Sequence, residues 1–155
     1  MQARWLAALL MTTGLVVPLA ASESEHAREP AGMLAPDGSR FPWWEWLAEN
    51  GPVAALVWTS WVPRSELVLD AHDELRKACE ERGLSLIVID VQEPLVEARE
   101  ALDPRGVVWV HDRHGAVLKR HRVFRLPRLL ILETDGRMVA ELEPRPEAVR
   151  AWSGP

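Results

Sequence analysis

Two strongly apolar runs separated by one amphipathic segment constrain this chain more than any other feature. Residues 53–58 read VAALVW, with no polar side chain, and residues 84–91 read LSLIVIDV. A strand that is apolar on both faces must be covered on both faces, as the central strands of an α/β sheet are. Between the runs, Leu67, Ala71, Leu75 and then Ala78 or Cys79 recur at helical spacing, with charges opposite, until Gly83 ends the pattern. Strand, helix and strand in this order predict a crossover between two parallel neighbours.

The flanking segments extend the pattern. Residues 41–51, FPWWEWLAENG, put Trp43, Trp46 and Leu47 on one face of a short helix, with Pro42 in its first turn and Gly51 past its end. Residues 93–103 predict another short helix, with Leu95, Ala98 and Leu102 on one side, and residues 107–112 a third strand. Residues 114–124 are helix or irregular. Beyond Pro127, RLLILET and RMVAELE flank Asp135-Gly136, a strong hairpin signal. Residues 146–155 allow one or two helical turns. The expectation is a mixed α/β sheet of four to five strands, with helices on both faces and a C-terminal β-hairpin. No internal repeat is visible.

Length and composition agree. The chain has 155 residues, 48% hydrophobic and 26% charged, which fits one domain with a packed core and not a disordered chain or a coiled coil. A net charge of -5 gives no overall cationic field of the kind that drives nonspecific nucleic-acid binding. The single cysteine, Cys79, excludes an intramolecular disulfide and a cysteine-rich zinc site.

Residues 1–22 form an address. Arg4 precedes a charge-free apolar run from Trp5 to Val17, and Ala20 with Ser22 fit the small positions of a cleavage site. The rival is an uncleaved membrane anchor, but a spanning helix needs about 20 apolar residues and this run is shorter. No cysteine follows it, which excludes a lipoprotein anchor. Cleavage predicts a periplasmic protein with no stable membrane span. Residues 23–40, rich in Pro, Gly, Ser and charge, are expected to form a flexible leader, and residues 41–155 the folded domain.

Three blocks carry a resemblance. They are Val57-Trp58-Thr59-Ser60-Trp61-Val62-Pro63-Arg64-Ser65, then Val123-Phe124-Arg125-Leu126-Pro127 running into Leu129-Leu130-Ile131-Leu132, then Asp135-Gly136-Arg137. With the element order, residues 34–143 resemble the thioredoxin fold, in particular the extracytoplasmic TlpA/ResA-like thiol-disulfide oxidoreductases. That family has a strand ending in Trp-x-x-Trp-Cys-x-x-Cys and a cis-proline before the hairpin strand. The resemblance implies that Val62 and Ser65 stand where the family keeps its two cysteines, both partly exposed. It also implies that Leu56 replaces a buried polar or acidic residue beneath them. Disulfide exchange needs a thiolate, and neither valine nor serine supplies one.

The resemblance then suggests a redox-inactive protein-binding or scaffolding module, without catalytic residues, cofactor or metal. Its partner would be an exported protein or peptide, not nucleic acid. Its groove would comprise Trp61, Val62, Pro63, Arg64, Leu126 and Pro127. A basic patch of Lys119, Arg120, Arg122, Arg125 and Arg128 approaches Pro127 and could steer an acidic partner or be a solvated face. The alternative is an atypical enzyme with residual thiol chemistry through Cys79, and a third reading is a degenerate relative. Ser65 is read either as a nucleophile near His72 or as a hydroxyl serving free helix amides. His111, Asp112, His114 and His121 are read either as a metal cluster or as a polar turn facing water. Trp58 and Cys79 are read as core.

Overall fold

The computed structural model describes residues 32–154. The apolar segment 1–22 and leader residues 23–31 lie outside the described residues. Six strands form one mixed sheet: β1 (Met33–Leu34), β2 (Val53–Trp58), β3 (Ser85–Val91), β4 (Trp109–Asp112), β5 (Arg128–Leu132) and β6 (Met138–Leu142), in the order β1-β4-β3-β2-β5-β6. β2, β3 and β4 run parallel, while β1, β5 and β6 are antiparallel to their neighbours.

Alternation along the buried strands divides the core. Ala54, Leu56, Trp58 and Val88 point to one face, where they meet Leu69, Leu75, Ala78, Ala98, Leu102 and Val149. These come from α2 (Ser65–Asp70), α3 (His72–Glu81), α4 (Leu95–Leu102) and α6 (Pro146–Ala151). Val53, Ala55, Val57, Ile87 and Ile89 point to the other face, against Trp43 and Leu47 of α1 (Trp43–Asn50) and Val117 of α5 (Ala116–His121). Burying each large aliphatic side chain contributes about 1.5–3 kcal/mol, so the two apolar runs do anchor the fold.

Three expectations need correction. The sheet has six strands because β1 adds an edge: Met33 pairs with Asp112 and Leu34 with His111. Residues 33–40, assigned by composition to a flexible leader, therefore include an edge strand, and Met33 is buried. Its two-residue length leaves no periodicity to detect. The long helix expected over 64–83 breaks into α2 and α3 at Ala71, whose ψ of 8° is not helical. Alanine is the best helix former, and nothing in its neighbours explains the break.

The Asp135-Gly136 hairpin turn forms. The Asp135 carboxylate accepts a hydrogen bond from the Arg137 backbone N–H at 2.9 Å. Gly136 has φ +78°, and a Cβ there would lie 2.3 Å from Trp44 Cζ3, so only glycine fits against the α1 indole. No helix among the described residues is long and apolar enough to cross a membrane.

Candidate functional site

β2 ends at Trp58, and the chain turns through Thr59-Ser60-Trp61-Val62-Pro63-Arg64 into α2. The buried Trp58 ring anchors this turn, its indole N–H donating to the Ser65 carbonyl at 2.9 Å. The Ser65 backbone N–H donates to the Val62 carbonyl at 2.9 Å, closing a compact turn between the two residues. Trp61 is 61% exposed. Val62 is half-buried, and Pro63 and Arg64 face solvent. Ser65 departs from expectation: it is fully buried, and its hydroxyl has no hydrogen-bond partner. It caps no amide, and no histidine is in hydrogen-bond contact to activate it. The Trp58 hydrogen bond draws Ser65 inward, which a helix-start reading does not foresee.

The Leu126–Pro127 peptide bond is cis. It lies beside a cavity of about 400 Å³. One wall is Arg64, Leu67, Val68 and Ala71, and the floor comes from Arg125, Leu126, Pro127 and Arg128. Glu143, Pro144, Arg145 and Pro146 close the far side. Arg64 and Pro127, far apart in sequence, thus share one cavity at the end of the sheet. Trp61, Val62 and Pro63 do not line it. The backbone of residues 124–126 makes no backbone hydrogen bond among the described residues.

The basic cluster read as one patch divides. Arg125 and Arg128 line the cavity, whereas Lys119 and Arg120 sit on α5 and Arg122 just after it. Arg120 lies over the Trp44 ring, 4.9 Å from its centroid. α5 covers the sheet face opposite α2, which separates residues that the sequence places together. Arg145, from the segment before α6, joins the cavity without any signal in the linear charge pattern.

A buried polar cluster lies at the C-terminal ends of β3 and β4, and sequence reasoning missed most of it. Asp90 and His111 are cross-strand neighbours, with Asp90 Oδ2 2.6 Å from His111 Nδ1. Both are buried, and Asp90 Oδ1 has no partner. Burial, then the hydrogen bond and charge of Glu93, push the Asp90 carboxyl up to about 10, while burial pushes His111 down. Glu93 accepts hydrogen bonds from the Ser60 N–H at 3.1 Å, the Thr59 hydroxyl at 3.3 Å and the Ser60 hydroxyl, fastening the turn that leads to Trp61. The signal available in sequence was the one acid inside an apolar strand run, Asp90.

The HDRHG segment is thus not a water-facing turn throughout. His111 and Asp112 belong to a buried strand, and the Asp112 carboxylate accepts the Ala116 and Val117 N–H groups at the start of α5, at 2.9 and 2.8 Å. His114 is exposed, and His121 sits on α5 with burial pushing it down to about 4. Among the described residues, no three His, Cys, Asp or Glu side chains are grouped to hold a metal ion. Cys79 is fully buried on α3. Burial first, and then the Glu80 charge, push its thiol up to about 12, which leaves almost no thiolate at neutral pH.

No family model matches the sequence, and no curated protein matches it. Solved structures do resemble it. A thiol:disulfide interchange protein from Bacteroides sp. superposes with a TM-score of 0.60 at 11% identity, over 76% of this chain and 80% of its own. A thioredoxin from Wuchereria bancrofti gives 0.54 at 17% identity, over 74% and 84%. The N-terminal domain of PilB from Neisseria gonorrhoeae gives 0.53 at 18% identity, over 70% and 76%. The strand order, the two-faced core and these likenesses together assign the chain to the thioredoxin-like fold.

Proposed function

We propose that this chain is an exported, redox-inactive thioredoxin-like protein whose cavity beside Pro127 binds an extended segment of another protein. The observation that carries this reading is the cavity itself, shared by Arg64 of the Val62–Ser65 turn and by Leu126-Pro127. In the TlpA/ResA-like oxidoreductases that the sequence resembles, that turn carries two cysteines beside the proline. Here Val62 and Ser65 stand in their places. Valine has no nucleophilic atom, and the Ser65 hydroxyl is buried with no base in contact. Buried Cys79, with its thiol pushed up to about 12, is a poor substitute. What persists is a binding surface. Its lining combines apolar side chains, Leu67, Val68, Ala71, Leu126 and Pro127, with arginines, and the backbone of residues 124–126 is free to pair with an added strand. The apolar N-terminal segment supports export to the periplasm.

Insulin reduction tests the redox half: the chain leaves the uncatalysed rate unchanged. Turnover that disappears in Cys79→Ser overturns the reading. Capture from periplasmic extract tests the binding half. The wild type retains a partner that Arg64→Glu and Arg125→Glu lose, whereas retention by both variants places the interface elsewhere.

A further inference from the structure

The charge chemistry of the cavity names a class of occupant. We infer that it takes a protein segment in which an apolar side chain is flanked by aspartate or glutamate; the inference rests on the binding reading above and specifies its ligand.

Four arginines from separate segments line the cavity: Arg64, Arg125, Arg128 and Arg145. Arg128 is already neutralised by Glu141 at 3.2 Å and by Glu143. Glu143 is the one carboxylate in the lining, and with Glu141 it leaves the four arginines an excess of two positive charges. Arg64, Arg125 and Arg145 form no ion pair among the described residues and are exposed. The chain as a whole is negative, at -5, so this convergence is local. Screening at physiological salt acts over about 8 Å, so the charges nearest a ligand in the cavity, with their positive excess, dominate what it senses. The same charges repel a basic segment, which gives selectivity as well as attraction.

A protein segment fits better than a small free anion. Leu67 is 67% exposed at the cavity wall, and Phe124, beside Arg125 in the chain, is 89% exposed. A lone carboxylate covers neither. The hydrogen-bond-free backbone of residues 124–126 offers strand-like pairing that only a peptide can use.

The test is selection of a random twelve-residue peptide library displayed on phage against the purified full chain, followed by fluorescence polarisation with the selected peptides. The expected peptides carry Asp or Glu on both sides of Leu, Ile or Phe. Arg64→Glu and Arg125→Glu each weaken them by about tenfold, added salt weakens them further, and Leu67→Ser weakens binding without changing the salt dependence. These sites are exposed, and circular dichroism checks that each variant is folded. Peptides that lose affinity in Leu67→Ser but show no acidic enrichment and ignore the arginine reversals overturn the inference while leaving the binding reading intact. Absence of any peptide sensitive to Leu67→Ser overturns both. Displacement of a selected peptide by free glutamate at the peptide's own concentration assigns the cavity to a small anion and overturns the inference.

Discussion

The Asp90 carboxyl lies 2.6 Å from His111 Nδ1 across the β3–β4 ladder, wholly inside the protein. Its pKa has a consequence for stability. Burial and Glu93 raise Asp90 from 3.8 to about 10. Between those values the folded chain keeps a proton that the unfolded chain releases. The Asp90 contribution is therefore complete below about pH 4 and is lost as pH rises towards about 10. His111, lowered by burial, acts in the opposite sense: its contribution is present above its ordinary 6.5 and is lost as pH falls below it.

Asp90→Asn keeps the shape of the protonated acid and cannot ionise. Urea unfolding at pH 6 and pH 9 should show the variant gaining on the wild type as pH rises, with a slope of at most about 1.4 kcal/mol per pH unit. Parallel profiles for the two proteins would show that Asp90 is ionised in the folded state.

Glu93 fastens the turn before Trp61 through Thr59 and Ser60. Glu93→Ala removes charge-assisted acceptors and should cost about 1–3 kcal/mol. Amide exchange reads the local effect: the Ser60 N–H should exchange faster in the variant under native conditions. An unchanged Ser60 rate would mean that the turn is held by other contacts.

Two glycines separate backbone strain from packing. Gly83 has φ +71° with open space around it, and Gly136 has φ +78° with the Trp44 ring where its Cβ would go. Gly83→Ala should cost about 1–2 kcal/mol from the left-handed backbone alone. Gly136→Ala should cost more, because the Trp44 indole must move as well. Equal losses in thermal unfolding would show that the ring yields freely.

These residues also show what the sequence makes legible. The parallel centre was readable because β2 and β3 are apolar on both faces, and the hairpin because Asp135-Gly136 sits between two such runs. β1 was not, because Met33 and Leu34 are strand residues only by pairing with Asp112 and His111. The Val62–Ser65 turn and Pro127 were readable as motifs, but the composition of their shared cavity was not. Arg145 enters it from the segment before α6, while Arg120, close to Pro127 in sequence, stacks on Trp44 across the sheet. Periodicity reports which face a residue occupies, and the charge of a cavity depends on which loops meet. Asp90 and His111 became partners through strand register, which no local pattern encodes.

Cys79 offers a further check. Buried in α3 with its thiol pushed up to about 12, it should react with a thiol-specific disulfide reagent only as fast as the protein opens. Cys79→Ser places a hydroxyl among apolar side chains and should cost about 1–3 kcal/mol. Rapid labelling of the native wild type would contradict the burial.

The most direct test restores sulfur to the turn. The Ser65 N–H reaches the Val62 carbonyl at 2.9 Å, a turn that keeps the two Cα atoms within about 7 Å, near the span that a disulfide bridges. Alkylation of oxidised, then denatured Val62→Cys/Ser65→Cys, read by mass spectrometry, should modify Cys79 alone, because the introduced pair has closed into a disulfide. Alkylation of both introduced cysteines together with Cys79, in a variant that folds as the wild type does, would contradict the claim that Val62 and Ser65 occupy the places of a redox pair.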